Sequence, residues 1–258
     1  MFESPIAYIG SKRRLIKQLV PYFPKNIHNF LDTFCGSLTV SLNINAEYIT
    51  CNDLCSELID MYKNFDINYH KITSEKEYYD IREQYNKFKN PSDLFSLLRC
   101  SFNKLLRFNK NREFNAPFGR IDNTDLNVLY KFKEKIKNFT FISKDFRQIN
   151  YDNFDFCYFD PPYYITDAEY NGTWTEECEI QLYKLLDDLN NKNVKFMLSN
   201  VIEHNGKTNK ILAEWCKKYN TRVMNIDYRN CFIGKYKPNG KTTEIIVYNY
   251  DIDDNIEW

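Results

Sequence analysis

Long apolar runs, histidine and net charge are all scarce in this 258-residue sequence. No stretch approaches the ~18 apolar residues of a membrane-spanning helix, so no such helix is expected. Met1–Gly10 is poor in apolar residues and is followed by the basic run Ser11–Arg14, which is not the pattern of a secretory signal. The chain is therefore expected to be soluble and cytoplasmic, with no membrane partner. Lys+Arg and Asp+Glu both total 35, so overall charge does not attract the chain to nucleic acid, and any DNA footprint has to be local. The three histidines, His28, His70 and His204, lie far from one another and from the 8 scattered cysteines. No C-x-x-C pair is present, and Cys51 and Cys55 have no second pair to complete a tetrahedral site. Reduced thiols and no metal are expected.

What is present is ample apolar and aromatic material. A hydrophobic fraction of 43% supports one large core or a core domain with an insertion. Tyr and Phe number 20 each, more than a core needs. That surplus suits stacking on planar ligands, although an A/T-biased coding sequence produces the same enrichment.

Along the chain, helix and strand signals alternate, then give way to helices, then alternate again. Lys12–Tyr22 has helical spacing with Ser11 as its N-cap. Asn29–Phe34 reads as a buried strand running into a turn at Gly36, Leu38–Ile44 as a helix, and Tyr48–Cys51 as a strand ending at Asn52-Asp53. From about Cys55 to Lys137 the pattern is charged and helical, broken by a loop or small hairpin over Asn109–Ile121. Phe139–Ser143, Phe154–Phe159 and Val194–Leu198 are strand-like, and Glu176–Leu189 is an amphipathic helix. Thr221–Tyr228 and Thr243–Tyr250 read as the last strands, with a turn at Asn239-Gly240 between them. This order implies an α/β fold. One sheet domain, residues 1–54 and 138–258, is split by a mainly helical insertion, residues 55–137.

The sharpest motif is Asp160-Pro161-Pro162-Tyr163, directly after the apolar run Phe154–Phe159. In open α/β sheets ligands bind at the carboxyl ends of strands. Two prolines supply carbonyls without backbone donors and hold the chain extended. An aromatic amine is a poor nucleophile because its lone pair is delocalised into the ring. Two acceptors aimed at its N–H groups favour the more tetrahedral nitrogen of the transition state. Asp160 and the Pro161 carbonyl can be those acceptors, and Tyr163 can stack on the base. Alone, such a tetrapeptide is better read as a loop whose Asp caps a helix and whose Tyr fills a gap; its place at a strand end, with the partner motifs below, points to chemistry.

The second signal is Phe102–Arg120, in which Lys104, Arg107, Lys110, Arg112 and Arg120 face the single acid Glu113 and alternate with Phe102, Phe108, Phe114 and Phe118. Basic residues interleaved with aromatics suit contact with phosphates and bases. An ordinary solvated helix and loop is the plain alternative.

Taken together, these segments resemble the Dam-type (α-group) DNA adenine-N6 methyltransferases of bacteria and phages. Asp160–Tyr163 resembles their catalytic motif, Asp32-Thr33-Phe34-Cys35-Gly36 their cofactor motif, Tyr8-Ile9-Gly10-Ser11-Lys12 their N-terminal cofactor segment, and Asn52-Asp53 the acid after the second strand. The likeness spans essentially the whole chain. It implies a Rossmann-like S-adenosylmethionine-dependent methyltransferase sheet with a target-recognition insertion, and a bacterial or phage-infected cell as its setting. It assigns Asp53 to the ribose hydroxyls, Lys12 to the cofactor carboxylate, Tyr8 to packing against the cofactor, and Phe34 and Phe146 to its flanks. Gly36 would let the backbone turn closely beneath it, while Ser37 departs from the second glycine that many relatives have. In the insertion, Arg107 would read a guanine edge, and Leu105 and Pro117 would make apolar base contacts. Phe102 and Asn103 would fill the gap left by a flipped adenine, and Arg120 would hold phosphate. The implied partner is double-stranded DNA, the implied site is GATC, and no obligate protein partner is implied. The same fold acting on RNA adenine or cytosine N4 and a catalytically silent DNA-binding module are the alternatives. The Asp that opens the catalytic motif speaks against the former, and the presence of Asp160, Tyr163, Asp53 and Lys12 against the latter.

Overall fold

A computed structural model describes residues 1–6, 8, 10–166, 174–224 and 242–252. In chain order its elements are α1 (Ile16–Leu19), β1 (Ile27–Asp32), β2 (Ala46–Asn52), α2 (Ser56–Lys63), α3 (Glu75–Phe88), α4 (Pro91–Cys100) and α5 (Leu126–Ile136). They continue with β3 (Thr140–Ile142), β4 (Phe156–Phe159), α6 (Glu176–Asn191), β5 (Lys195–His204), β6 (Lys207–Thr208), α7 (Lys210–Trp215), β7 (Asn220–Met224) and β8 (Thr242–Tyr248). The chain divides into two compact units, Met1–Arg13 with Cys35–Asn43 and Cys51–Ser143, and Arg14–Phe34 with Ile44–Thr50 and Lys144–Trp258.

The second unit holds strands in the order β2-β1-β4-β5-β8-β7, with β6 beside β5. β1, β4 and β5 are parallel, in registers that set Phe30 beside Phe156 and Phe159 beside Leu198. β8 runs antiparallel to both β5 and β7. Strand order reverses between β1 and β4, and in open α/β sheets this switch point opens a crevice at the carboxyl ends. The central strand β4 is apolar and buried at all four residues, as befits a strand covered on both faces. On one face Leu31, Cys157, Phe159, Phe196, Leu198, Ile245 and Val247 pack with Leu182, Tyr183, Leu186 and Leu189 of α6 and with Trp215 of α7. Tyr183 and Trp215 stack at 4.6 Å. α6 begins where Thr175 accepts the Cys178 N–H, with Glu176, Glu177 and Glu179 in its first turn, as the helix dipole favours.

The first unit is built on α2 to α5. Ser74 caps α3 by accepting the Glu77 N–H, Asn90 with Pro91 starts α4, and Asp125 caps α5. Phe65 meets Phe95 and Phe132 edge-on, each at 5.0 Å. β3 lies beside the Asn52 end of β2, where the Asp53 N–H donates to Ile142 at 3.4 Å.

Three expectations change. Leu38–Ile44 forms turns rather than a helix, because Leu38 takes a left-handed φ of 62° that breaks helical geometry. Lys12–Tyr22 forms two 3₁₀ turns around α1 instead of one helix, with Pro21 in the second turn. Ser11 does not cap it; its hydroxyl pairs with Thr39 at 2.9 Å. β6 and α7 were not anticipated. The end of the expected strand at Tyr228, the turn at Asn239-Gly240, Cys231 and Ile9 lie outside the described residues. The other seven cysteines carry free thiols.

Candidate active site

In the second unit, β4 delivers Asp160 to the carboxyl edge of the sheet. Beside it, the Thr33 N–H donates to the Tyr158 carbonyl at 2.9 Å, so the Asp32-Thr33-Phe34 turn sits at the β1/β4 switch point next to the catalytic-motif strand. Asp32 is buried there, and Asp160 and Tyr163 are half-buried. The Tyr163 hydroxyl lies 3.1 Å from Asp160 Oδ1 and 3.0 Å from Glu244 Oε1. Burial, and then the Asp160 and Glu244 carboxyls, hold this phenol well above its ordinary range, so it stays a donor. The Thr166 N–H and hydroxyl both donate to the Tyr163 carbonyl, at 3.1 and 3.0 Å, fixing the turn after the motif.

Three aromatic rings close a second part of this unit. Phe34 lies 5.8 Å from Phe146 and 5.7 Å from Trp174, and Phe146 lies 5.5 Å from Trp174. The Trp174 indole N–H donates to Glu179 at 3.0 Å. Glu179 is fully buried and also receives the Tyr183 hydroxyl and the Asn200 side chain. The Phe146 turn is held by the Tyr151 hydroxyl, which donates to the Phe146 carbonyl at 2.8 Å.

In the first unit the Gly36 turn is tied down on both sides. Its N–H donates to Asp53 Oδ2 at 3.1 Å, and its carbonyl accepts the Tyr62 hydroxyl at 2.7 Å. Gly36 has φ +43, and a Cβ built on it would lie 3.1 Å from the Tyr8 ring, so glycine serves both the turn and the close approach of Tyr8. Asp53 Oδ1 accepts the Cys55 N–H at 2.9 Å. Burial raises the Asp53 carboxyl above its ordinary range, opposed by those backbone N–H groups. Lys12 is buried. Ser37, the departure from a second glycine, turns its hydroxyl onto Ser11 at 2.9 Å and Thr39 at 2.7 Å.

The insertion carries a small hairpin bridged at Ser101–Phe118 and Phe108–Phe114. Phe102, Asn103, Pro117 and Arg120 are exposed, and Leu105 is half-buried. Asn103 and Lys104 have left-handed φ values of 53° and 55°, which turn the chain sharply at the head of the hairpin. Gly119 lets the return strand pass so near that a Cβ would lie 2.7 Å from Phe102 Cα. Arg107 donates through Nε to Asn115 Oδ1 and through Nη2 to the Asn115 carbonyl, both at 2.8 Å. The structure thus brings Asp160 together with Tyr163, Gly36 with Asp53 and Tyr8, and Phe34 with Phe146. The assigned cofactor residues are shared between the two units.

Residues 8–230 match the family described as D12 class N6 adenine-specific DNA methyltransferase. This chain belongs to that family. It is 36% identical to the type II methyltransferase M.FokI of Planomicrobium okeanokoites and 33% identical to the modification methylase StsI of Streptococcus sanguinis, covering 96% of itself and 43% of each. The chain therefore spans under half the length of these relatives. It is 26% identical to the DNA adenine methylase of Escherichia coli K12, covering 86% of both chains. The family's methyl donor is S-adenosylmethionine. One unit holds an acid beside a glycine turn and the other an aromatic trio, residue types whose chemistry suits ribose hydroxyls and a planar ring. Among the described residues no group of His, Cys, Asp and Glu could hold a metal ion, and no helix is long and apolar enough to cross a membrane.

Sequence reasoning missed Glu244, Trp174, Glu179 and Asn115. Two of them had a signal. Glu244 is an acid inside the apolar run Ile245–Tyr248 and its flank, and Glu179 sits on the same helical face as Leu182, Tyr183 and Leu186. A carboxyl on a buried face needs partners, which makes it a candidate for a purpose-built network.

Proposed function

We propose that this chain transfers a methyl group from S-adenosylmethionine to N6 of adenine in double-stranded DNA, within GATC, after the adenine has swung out of the duplex. The observation that carries the reading is Asp160, set at the β1/β4 switch point beside the Asp32–Phe34 turn. The bound cofactor supplies an electrophilic methyl on a sulfonium. Asp53 accepts its ribose hydroxyls, Lys12 pairs with its carboxylate, and Phe34 and Phe146 flank it. Asp160 and the Pro161 carbonyl accept hydrogen bonds from the two N6–H groups, which localises the nitrogen lone pair toward the methyl, while Tyr163 stacks on the base. As the N–C bond forms the S–C bond breaks, the neutral thioether leaves, and the methylated nitrogen sheds one proton to solvent. Pro162 keeps the turn extended and donor-free. N6 cannot reach an in-line methyl donor inside the stack, so flipping is required. It costs a few kcal/mol, offset by stacking and by Phe102 and Asn103 occupying the gap. Arg107, Leu105 and Pro117 read neighbouring bases and Arg120 a phosphate. Support for GATC is the hairpin's likeness to Dam-type enzymes; the more similar relatives are type II enzymes of other names.

The test is transfer of labelled methyl to two duplexes that differ by one GATC, followed by nucleoside digestion. N6-methyladenine in the GATC duplex alone is expected. Equal labelling of both would discard the site while keeping the chemistry; N4-methylcytosine would discard the adenine. Asp160→Ala is expected to lose transfer by at least about a hundredfold while still binding DNA. Turnover at the wild-type rate would remove Asp160 from the mechanism.

A further inference from the structure

One buried acid lies beyond this mechanism and yet touches it. Glu244 sits on β8, opposite Val201 of β5 and Met224 of β7, and is only 4% exposed. Its Oε1 is 3.0 Å from the Tyr163 hydroxyl, which also lies 3.1 Å from Asp160 Oδ1. A tyrosine hydroxyl has one proton to give. It can donate to Asp160 or to Glu244, but not fully to both. A donation to Asp160 consumes acceptor capacity on the oxygen set that has to receive the adenine amino group, and stabilises the charge that makes Asp160 a good acceptor. A donation to Glu244 leaves that capacity for substrate. The exchange needs only rotation about the phenol C–O bond, with no movement of a heavy atom. Anchoring the hydroxyl to a strand in the sheet also fixes the ring plane on which a base would stack, so less freedom is lost when the base arrives.

We propose that Glu244 is a positioning residue for methyl transfer, which acts through the Tyr163 hydroxyl: it holds the ring for the base and draws the hydroxyl proton away from Asp160 when the amino group docks. The proposal rests on the reading of Asp160 as the acceptor. A sheet-core carboxylate with a merely structural role would instead affect stability and leave the chemical step alone.

The measurement is a double-mutant cycle on the purified chain, using a duplex that the wild-type enzyme methylates. Glu244→Gln keeps the shape but loses the carboxylate, and its amide can itself donate to the phenol oxygen, which turns the phenol proton onto Asp160. Its kcat is expected to fall about tenfold or more, with KM for the cofactor and Kd for the duplex changed by less than about twofold. Tyr163→Phe, which keeps the ring, is expected to show a similar loss. The double variant is expected to be no slower than Tyr163→Phe, because the contact through which Glu244 reaches Asp160 is then already gone. Wild-type kcat in Glu244→Gln overturns the proposal, and so do losses that multiply in the double variant. If Glu244→Gln does not fold, Tyr163→Phe decides: wild-type kcat there means the hydroxyl does nothing. Asp160→Ala runs alongside. If it is active, the acceptor reading itself fails; if it is inactive while Glu244→Gln is unaffected, only the role of Glu244 fails.

Discussion

On the proposed reading, Arg107 is a single side chain held ready for a base edge. A guanidinium carries five N–H groups in a rigid fork. Asn115 engages the side formed by Nε and Nη2, through its own side chain and its carbonyl, and the Nη1–Nη2 end is the edge that suits guanine O6 and N7. Arg107→Ala is expected to reduce discrimination by roughly 1–3 kcal/mol, the value of one bidentate base contact. Asn115→Ala removes only one of the two restraints and is expected to reduce it by about 1 kcal/mol, the order of the entropy of one long side chain. The ratio of kcat/KM on the target duplex to that on duplexes with the guanine replaced checks both. An Asn115→Ala ratio equal to wild type would show that Arg107 needs no such support. Asp160, Asp53 and Arg107 stand out in the sequence as candidates because each belongs to a contiguous pattern. Asn115 and Glu244 do not. Glu244 acquires its meaning from Tyr163, 81 residues away, and only the strand register supplies that pairing.

The same division appears among the elements. Helices with a cap and a full apolar face, such as α3, α5 and α6, were legible, since local chemistry starts them and periodicity carries them. Leu38–Ile44 has the composition of a helix and is none, because the turn around Gly36 continues through the left-handed Leu38. No local pattern announces that geometry. The hairpin depends on a similar tertiary device at its base. Arg99 of α4 donates to both Asp122 oxygens, at 3.0 and 2.8 Å, and also reaches Thr124 and the Pro5 carbonyl. Lys104 adds a contact to Asp122 at 3.6 Å. Burial alone would raise the Asp122 carboxyl, but Arg99, Thr124 and Lys104 outweigh it and the net shift is downward. A lowered carboxyl stabilises the fold fully above its unfolded pKa of about 3.9, and that contribution disappears only as pH falls through a still lower value. Asp122→Asn leaves Arg99 buried without its charge partner and is expected to cost about 3 kcal/mol at neutral pH. The difference from wild type should narrow only at pH values below the ordinary carboxylate range. Urea unfolding of both proteins between neutral and strongly acid pH measures this. A difference under 0.5 kcal/mol at neutral pH, on the order of an exposed pair, would show that the cluster is not a structural anchor.

At the scale of the whole chain, charge decides how the proposed DNA substrate would be met. Lys+Arg and Asp+Glu balance at 35 each, so long-range attraction is weak and affinity has to come from the hairpin. Its basic residues are not all available for phosphate. Arg112 is bound to Glu57, with Nε donating to Oε1 at 3.0 Å, and Lys104 is drawn toward Asp122. Arg107, Lys110 and Arg120 have no carboxylate partner among the described residues. With Arg107 assigned to a base edge, Lys110 and Arg120 leave about two cations to displace counterions, and the logarithm of the binding constant should fall with the logarithm of salt at a slope of about −1.8. That is shallow for a DNA-modifying protein and implies that site recognition persists at salt concentrations where charge-driven binding fades. Fluorescence anisotropy of a labelled duplex across a salt series gives the slope directly, and Arg120→Ala is expected to make it shallower by about one contact, near 0.9. A wild-type slope steeper than about −5 would mean that basic residues outside Phe102–Arg120 carry most of the phosphate contacts. The DNA-binding surface would then have to be sought beyond the hairpin.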